Sequence, residues 1–412
     1  MRKLMKHIAT LAVLLTSVSS FGQSIFWAST DSTYQRFTNF ILLDAHAEYR
    51  SNTLTNEYVD RMVFGGYYGP EAKAQVEKKL VDMNRVGGQL NGNLSYWNMS
   101  DSLFSRPNLG MKIFVESNYL TGATFSNELY RLIFNGNKSF AGQTMNFDGT
   151  SGEFYAYQKL GLGVFDKQTL SGVSISYVNG QDYLQSYVNK GALYTSELGD
   201  SLHLDYNGIV SESFSNGTWW AGDGSGAAMD VQVNFPLTEG KGVIHMEVRD
   251  LGFVYWNQMN TYTADSSASF TGIDLNDLLD DQSSFDTSEL LDTLVYDTVT
   301  SAELKMLPLT LGVQMFHQTG KRGMLELGLR IRPTRAFVPE FTARYHYKML
   351  PLTWISASAT FGGYGGFRVG AAIQKVWNGW YLSAGSDDLP GLIMRKSRGR
   401  GAYLSVGLLF GK

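Results

Sequence analysis

The sequence has no cysteine, few prolines and few charged residues among its 412 positions. The absence of cysteine excludes disulfides, zinc–thiolate sites, iron–sulfur clusters and a cysteine nucleophile. Charged residues make up 17%, below the roughly 25% of an ordinary soluble domain, while aromatic residues reach 13%. The net charge of −4 shows no basic excess, so nucleic acid is not an expected partner. This composition is typical of long strands that face an apolar environment.

The N-terminus has the features of a signal peptide. Three basic residues precede an apolar run from Ile8 to Leu15, and small residues follow before Gln23. This order predicts that residues 1–22 are removed during export. The apolar run is shorter than the about 20 residues that a membrane-spanning helix needs. We therefore expect the mature protein to comprise residues 23–412.

Long hydrophobic runs are also lacking in the mature chain. The longest uncharged stretch, Met349–Phe367, is interrupted by Pro351 and by four glycines. A helical membrane protein is thereby excluded. A secreted all-β protein and an outer-membrane barrel remain.

Apolar and polar residues alternate strictly in the last third of the chain. Four segments show this pattern: Leu325–Arg332, Phe341–Lys348, Phe367–Gln374 and Ala402–Phe410. Alternation indicates strands with one apolar face, which suit both a soluble sandwich and a membrane barrel. Segments of about ten residues and a last strand near the chain end favour the barrel. So do three tryptophans near predicted strand ends, as in an aromatic girdle: Trp354, Trp377 and Trp380.

The same pattern predicts ten more strands. They are Phe40–Arg50, Val86–Asn98, Leu109–Tyr119, Phe154–Phe165, Gly172–Asn179, Leu202–Ser213, Ala228–Pro236, Val243–Tyr255, Leu309–Phe316 and Trp354–Gly362. Asn378-Gly379 is a strong signal for a two-residue hairpin turn. The predicted fold is all-β: a transmembrane antiparallel β-barrel of about 14 strands.

Two insertions interrupt this pattern. Residues 56–85 have helical spacing over Asn56–Gly65 and Pro70–Arg85, and a third short helix is predicted over Asn127–Phe134. These helices are expected to plug the lumen or cap one mouth, unless they are only ordered loops. Residues 257–304 carry many acidic residues and no Lys or Arg, which indicates a solvated insertion. It has no calcium-binding loop pattern, and no metal site is expected.

Charged residues occupy the predicted inner face of the barrel. These lumen candidates are Glu326, Arg330, Arg332, Arg344, His346, Lys348, His245, Glu247 and Arg249. Charges in a lumen set ion selectivity or bind an anionic solute. Interleaved charges of both signs favour a different role, a ladder of ion pairs that fills the interior.

Catalytic chemistry is not predicted. The histidines of the mature chain are not paired at metal-ligand spacing, and the glycine-rich runs lack the Lys-Ser/Thr of a phosphate-binding loop. We expect no enzyme activity and no cofactor. A basic loop between the last two predicted strands is a candidate contact for lipopolysaccharide phosphates, although ordinary solvated charge is the favoured interpretation: Arg395, Lys396, Arg398 and Arg400.

Two blocks carry a resemblance to a known family. They are Phe125–Lys138, and the closing region from Gly363-Tyr364-Gly365-Gly366 through Ser386–Gly391 to the last strand. In these the chain resembles an outer-membrane barrel family of Bacteroidota classed as a domain of unknown function. That family is similar to fatty-acid-transporter-like barrels and to accessory barrels of type IX secretion, although the early Asn-Pro-Ala segment of the latter is absent. The resemblance implies a fold and a location but no site residue.

Two classes of function stay open. The first, which the mixed-charge interior and the acidic insertion favour, is an accessory or scaffold barrel of an envelope or secretion machine, with envelope proteins as partners. The second is a passive or substrate-specific transporter of small or apolar solutes. Both place the mature protein in the outer membrane of a Gram-negative bacterium, in contact with its lipid.

Overall fold

A computed structural model describes residues 37–100, 102–215, 222–237, 241–271 and 297–411. The predicted signal peptide, and residues 272–296 of the predicted acidic insertion, lie outside this part of the chain. In these described ranges, seventeen strands form one sheet. They are β1 (Asn39–Ser51), β2 (Met83–Asn98), β3 (Leu109–Ser126), β4 (Thr144–Asn146), β5 (Ser151–Asp166), β6 (Gly172–Thr195), β7 (Ser201–Phe214), β8 (Gly224–Pro236), β9 (Gly242–Thr271), β10 (Asp297–Met306), β11 (Thr310–Gln318), β12 (Gly323–Ile331), β13 (Val338–Leu350), β14 (Thr353–Gly363), β15 (Arg368–Trp377), β16 (Trp380–Ser386) and β17 (Gly399–Phe410).

The sheet closes on itself between its first and last strands. β1 pairs antiparallel with β2 and also with β17, in a register that runs from Asn39 opposite Phe410 to Arg50 opposite Gly399. Fourteen strands form the wall, and β4, β7 and β10 lie beyond it. The predicted antiparallel barrel of about 14 strands is therefore confirmed. Closure matters because it leaves the wall without an unpaired edge.

The two ends of the barrel differ in their connections. At one end, which we call the short-turn end, the connections are brief, and β1 begins and β17 ends there. Its tightest turn is Asn378-Gly379, where φ is 46° and 81°, as a hairpin turn with two left-handed positions requires. The opposite, long-loop end carries long connections, among them residues 52–82, 127–150 and 387–398.

β6 and β9 continue past the wall into a small extension at the long-loop end. Residues 172–180 of β6 pair with β8, whereas residues 182–195 pair with β7. Residues 260–271 of β9 pair with the other side of β7, and β10 pairs along β9. We call this set of strands the extension sheet.

The structure corrects two predictions, the list of wall strands and the insertion at residues 257–304. The predicted wall strand Leu202–Ser213 is β7, which lies beyond the wall, whereas wall strand β16 was not predicted; the two errors cancel in the count. The predicted solvated insertion 257–304 begins and ends as strand, in β9 and β10. Alternation identifies a strand but not its neighbours, because pairing is a tertiary property.

Among the described residues, four α-helices connect strands at the long-loop end: α1 (Asn56–Phe64), α2 (Pro70–Glu77), α3 (Asn127–Asn135) and α4 (Leu389–Ile393). A short 3₁₀ helix, Asn137–Phe140, follows α3. The side chains of Thr55 and Ser126 cap α1 and α3 by accepting backbone N–H groups. The helix predicted to extend to Arg85 ends at Glu77, because the chain enters β2 at Met83. No helix in the described ranges is long and apolar enough to cross a membrane.

The helices α1, α2 and α3 form a small separate core, which we call the cap. Tyr58, Val76 and Tyr130 are almost fully buried in it. The rings of Tyr58 and Tyr130 lie 5.8 Å apart. Burial raises the pKa of Tyr130 to about 12, although the hydroxyl of Tyr58 acts in the opposite direction. The predicted helices therefore pack on one another at the long-loop mouth.

The wall is apolar outside and polar inside. Large apolar side chains stand exposed on its outer face, as on Leu43, Leu162, Ile175, Phe341 and Phe361. A closed barrel with this exterior is suited to lipid contact, and the chain is a transmembrane β-barrel of the outer-membrane type. Trp377 and Trp380 pair across a turn and are exposed, as in a girdle. Trp354 is an exception, because it points inward and packs against Phe316.

Candidate functional site

Three of the predicted lumen residues on β12 and β13 meet in one buried cluster. Glu326, Arg344 and His346 are all less than 5% exposed. Arg344 donates to Glu326 over 3.3 Å and to Asp387 over 2.8 Å, and the Nε2 of His346 lies 2.9 Å from Glu326. The facing strand supplies Ser356, 2.7 Å from the Nδ1 of His346. The cluster orders these side chains by mutual hydrogen bonds.

A second cluster joins Arg330 to residues that sequence analysis did not select. Arg330 pairs with Glu340 over 2.7 Å and with Glu48 over 3.3 Å. Glu48 also accepts from Arg50 over 2.8 Å, and Arg368 pairs with Glu340. Arg50 also pairs with Asp388 over 2.8 Å, and Asp388 is the last member of the cluster. The positive charges of the three guanidinium groups equal the negative charges of the three carboxylates. Buried charges need such neutralisation, because an unpaired buried charge is strongly destabilising.

A third cluster surrounds Lys159, whose side chain is fully buried. Its ammonium nitrogen lies 3.2 Å from Glu116, 3.0 Å from Asp230 and 2.8 Å from Asp250. The lumen candidate Arg249 pairs with the same Glu116 over 2.6 Å. One buried lysine is therefore shared by carboxylates from three different strands.

A β-bulge makes this arrangement possible. The register of β8 and β9 shifts between Met229 and Val231, so that two β9 residues oppose Asp230. Asp250 adopts a φ of 60° there, and its backbone N–H donates to Asp230 over 2.8 Å. Because of the bulge, the side chains of Arg249 and Asp250 both point into the barrel, although they are neighbours in sequence. The Asp250 carboxylate thereby contacts Lys159. Alternation predicts the opposite face for residue 250, so sequence reasoning missed it.

The remaining lumen candidates also lie inside the wall. The Nδ1 of His245 lies 2.7 Å from the amide oxygen of Asn234, and its Nε2 lies 3.8 Å from Glu247. The ammonium group of Lys348 lies 5.6 Å from the ring centre of Trp354. Arg332 donates hydrogen bonds across the interior, to the side chain of Gln89 on β2 and to the hydroxyl of Tyr364.

Glu48, Glu116 and Lys159 were missed although their strands were predicted. Each stands at an inward position of an alternating strand, so the rule that selected Glu326 and Arg344 would have selected them if applied to β1, β3 and β5. The alternation of these strands therefore contains the information that places the three side chains inside the barrel.

Aromatic and aliphatic side chains fill the interior at the short-turn end. Phe40, Trp97, Phe165, Tyr381 and Leu409 are each less than 5% exposed and pack in one cluster. The rings of Trp97 and Phe165 lie 4.9 Å apart. We call this cluster the aromatic layer. It separates the charged interior from the short-turn end.

Two loops fold into the interior from the long-loop end. Phe337, from the connection between β12 and β13, and Tyr364, from that between β14 and β15, stack with ring centres 5.1 Å apart. Ala336 reaches β3, where a Cβ on Gly122 would lie 2.9 Å from its own. Arg332 donates to the Tyr364 hydroxyl over 3.3 Å. We call these residues the loop plug.

Two polar cavities remain between the loop plug and the aromatic layer. The larger, of about 160 Å³, is bordered by lumen candidates of both charges, including Arg330 and Arg344. The smaller, of about 80 Å³, lies next to Trp97 of the aromatic layer. Glu247 and Arg249 line both cavities. The described part of the chain contains no group of three or more His, Asp or Glu side chains that would hold a metal ion.

Comparison with known families matches residues 32–387 to the family of unknown function DUF5723. The chain belongs to this family. The matched range extends from before β1 to the end of β16, so the DUF5723 match covers nearly the whole wall. The predicted resemblance to a barrel family of unknown function is thus confirmed. No curated protein matches this DUF5723 chain.

Solved structures similar to this DUF5723 chain are membrane barrels. One is the deltaS2S3 mutant of the TodX monoaromatic hydrocarbon channel, with 9% identity, a TM-score of 0.42 and 96% of each chain covered. Another is the P. putida toluene transporter TodX, with 9% identity, a TM-score of 0.37 and 91% of each chain covered. A third is a Pseudomonas aeruginosa FadL homologue, with 9% identity, a TM-score of 0.32, and 90% of this chain and 89% of that one covered. The likeness concerns the barrel fold alone.

The predicted basic loop of this DUF5723 chain divides into two pairs. Arg398 donates to the backbone of Asn52, and Arg400 holds Asp60 of α1 through both of its terminal nitrogens. Arg395 and Lys396 are exposed. They follow directly after Ile393 and Met394, whose side chains are 83% and 59% exposed. Only the exposed pair has the combination of cations and apolar side chains that a lipid with phosphate groups would contact.

Proposed function

We propose that the protein is a non-enzymatic accessory or scaffold barrel of a larger envelope assembly in the outer membrane of a Gram-negative bacterium. The observation that carries this proposal is the occupied interior. The aromatic layer stands at one end, the loop plug at the other, and three ion-pair clusters lie between them. A barrel filled by its own paired charges is better suited to a rigid support than to an open pore.

The extension sheet supplies a surface for protein partners. β7 and β10 pair with strands that rise out of the wall, so the surface is rigidly connected to the barrel. Exposed apolar side chains on the extension sheet, such as Tyr194, Ile209 and Val299, favour protein contact. The partners implied are other envelope proteins.

The test is purification from the native outer membrane in mild detergent, followed by measurement of particle mass and composition. We expect stoichiometric partner proteins, and no open-pore current when the purified barrel is inserted in a planar bilayer. A particle of monomer mass with a steady open-pore current would overturn the proposal.

A second candidate, a transporter of small solutes, is favoured by the two cavities that share Glu247 and Arg249. Their polar lining selects small polar solutes over apolar ones. If this function holds, Arg330→Ala and Arg344→Ala change solute flux into liposomes without changing barrel assembly. Flux equal to that of empty liposomes for the wild-type protein would eliminate it.

We also propose that Arg395 and Lys396 contact lipopolysaccharide phosphates. Their exposure beside Ile393 and Met394 supports this contact, since the apolar side chains would reach acyl chains while the cations meet phosphate.

A further inference from the structure

The smaller cavity contains polar atoms that the rest of the interior leaves without partners. Asp44, Asn93 and His245 line it and are 2%, 3% and 5% exposed. Among the described residues, no hydrogen-bond partner reaches the Oδ1 of Asp44, either amide atom of Asn93, or the Nε2 of His245. Buried polar groups are nearly always hydrogen-bonded, so four such atoms around one cavity indicate an occupant.

The cavity also contains a cation without a counter-ion. The ammonium group of Lys112 lies over the rings of Trp97 and Phe114, 4.7 Å from each ring centre. Within the described ranges it forms no ion pair. Other charged lining groups, Glu116 and Asp230 among them, are already held by Lys159. Asp44 and Lys112 therefore carry opposite charges and face the same space, and among the described residues neither forms an ion pair.

We propose that this cavity binds a small zwitterion, a molecule that carries one ammonium and one carboxylate group. The ammonium group meets Asp44 and the amide oxygen of Asn93. The carboxylate meets Lys112 and the amide nitrogen of Asn93. A ligand with a single charge would leave either Asp44 or Lys112 buried and unpaired, which is unfavourable.

His245 places a further polar atom at the cavity. Its Nδ1 lies 2.7 Å from the amide oxygen of Asn234, a contact that orients the ring, and its Nε2 lies 3.8 Å from Glu247. An ammonium group has three N–H donors, and the lining offers acceptors on Asp44, Glu247 and the amide oxygen of Asn93.

Size restricts the ligand to the smallest zwitterions. A cavity of about 80 Å³ has room for roughly five to eight water oxygen atoms. Glycine and alanine have a similar number of non-hydrogen atoms, about five and six. Trp97, Leu170 and Val231 supply a short apolar border that would contact a methyl group.

The test is isothermal titration of the full-length protein in detergent with three probes of similar size: L-alanine, ethylamine and propionate. We expect L-alanine to bind, and the two singly charged probes to bind at least tenfold more weakly. Asp44→Asn and Lys112→Met should each weaken L-alanine binding at least tenfold. Asp205→Asn, on the extension sheet, is the matched control and should bind L-alanine like the wild type.

The two variants keep the proposal falsifiable if one of them fails to fold, which circular dichroism of the β-sheet will show. No binding of L-alanine to the wild type, equal binding of ethylamine, or unchanged binding in a folded variant would each overturn the proposal, and water would then be the occupant. The result is independent of the proposed scaffold function, because it is measured on the isolated barrel and requires neither partners nor current.

Discussion

Gly87 on β2 and the ring of Tyr364 occupy adjoining space across the barrel interior: a Cβ on Gly87 would lie 2.2 Å from the Tyr364 ring. Tyr364 is 1% exposed, and its hydroxyl accepts a hydrogen bond from Arg332. Because Gly87 has no Cβ, the Tyr364 ring of the loop plug can pack directly against the β2 backbone. This relationship joins the connection after β14 to a strand at the start of the chain.

Gly87→Ala should lower the free energy of unfolding by about 1–3 kcal/mol, because the added methyl group cannot coexist with the present position of the Tyr364 ring. Urea unfolding of the barrel in detergent micelles measures this. Gly92→Ala on the same strand is the control, since a Cβ there meets nothing within 4 Å. Equal stability of the two variants would show that Tyr364 has free space to move.

Lys159→Met should be one of the most destabilising single changes in the interior, at about 3–5 kcal/mol. It leaves the carboxylates of Glu116, Asp230 and Asp250 buried near one another, with the pair between Arg249 and Glu116 remaining. Lys190→Met on the extension sheet is matched in chemistry, but that side chain is 62% exposed in its pair with Asp205. It should cost less than about 1 kcal/mol. A small effect for both would mean that the Lys159 cluster is hydrated.

Lipopolysaccharide retention should depend on the exposed half of the basic loop. The double variant Arg395→Ala/Lys396→Ala should co-purify with less lipopolysaccharide than the wild type, as measured by phosphate content per barrel. Arg398→Ala/Arg400→Ala removes the same charge from residues already bonded to Asn52 and Asp60, and should retain the lipid. Unchanged retention in the first pair would remove the lipid contact from consideration.

The cap should respond to alkaline pH through its buried tyrosines. Because burial raises the pKa of Tyr130 to about 12, the contribution of this residue to cap stability is complete below pH 10 and is lost as pH rises toward 12. The difference in tyrosinate absorbance between wild type and Tyr130→Phe isolates this group. We expect the missing component to titrate near pH 12. Titration near pH 10 would show that the cap is open in solution.

Much of the wall was predictable because lipid on one side and charge on the other impose a period of two on every wall strand. The last third of the chain shows this directly, and Glu326 and Arg344 lie inside as their positions require. The same rule could not tell that β7 leaves the wall, because β7 alternates like its neighbours. Trp354 was misplaced for a different reason: its residue type suggested a girdle, whereas alternation along β14 sets its side chain inward.

The sequence by itself determined an antiparallel barrel, its approximate strand number and the faces of most strands, since these follow from local alternation and turn residues. The tertiary structure alone decided which charges pair. Lys159 reaches three carboxylates because β8 and β9 slip by one residue at Asp250, and the loop plug meets β2 and β3 because the sheet closes on itself. Such contacts join residues far apart in the chain, and their partners depend on register and closure, which no local pattern records.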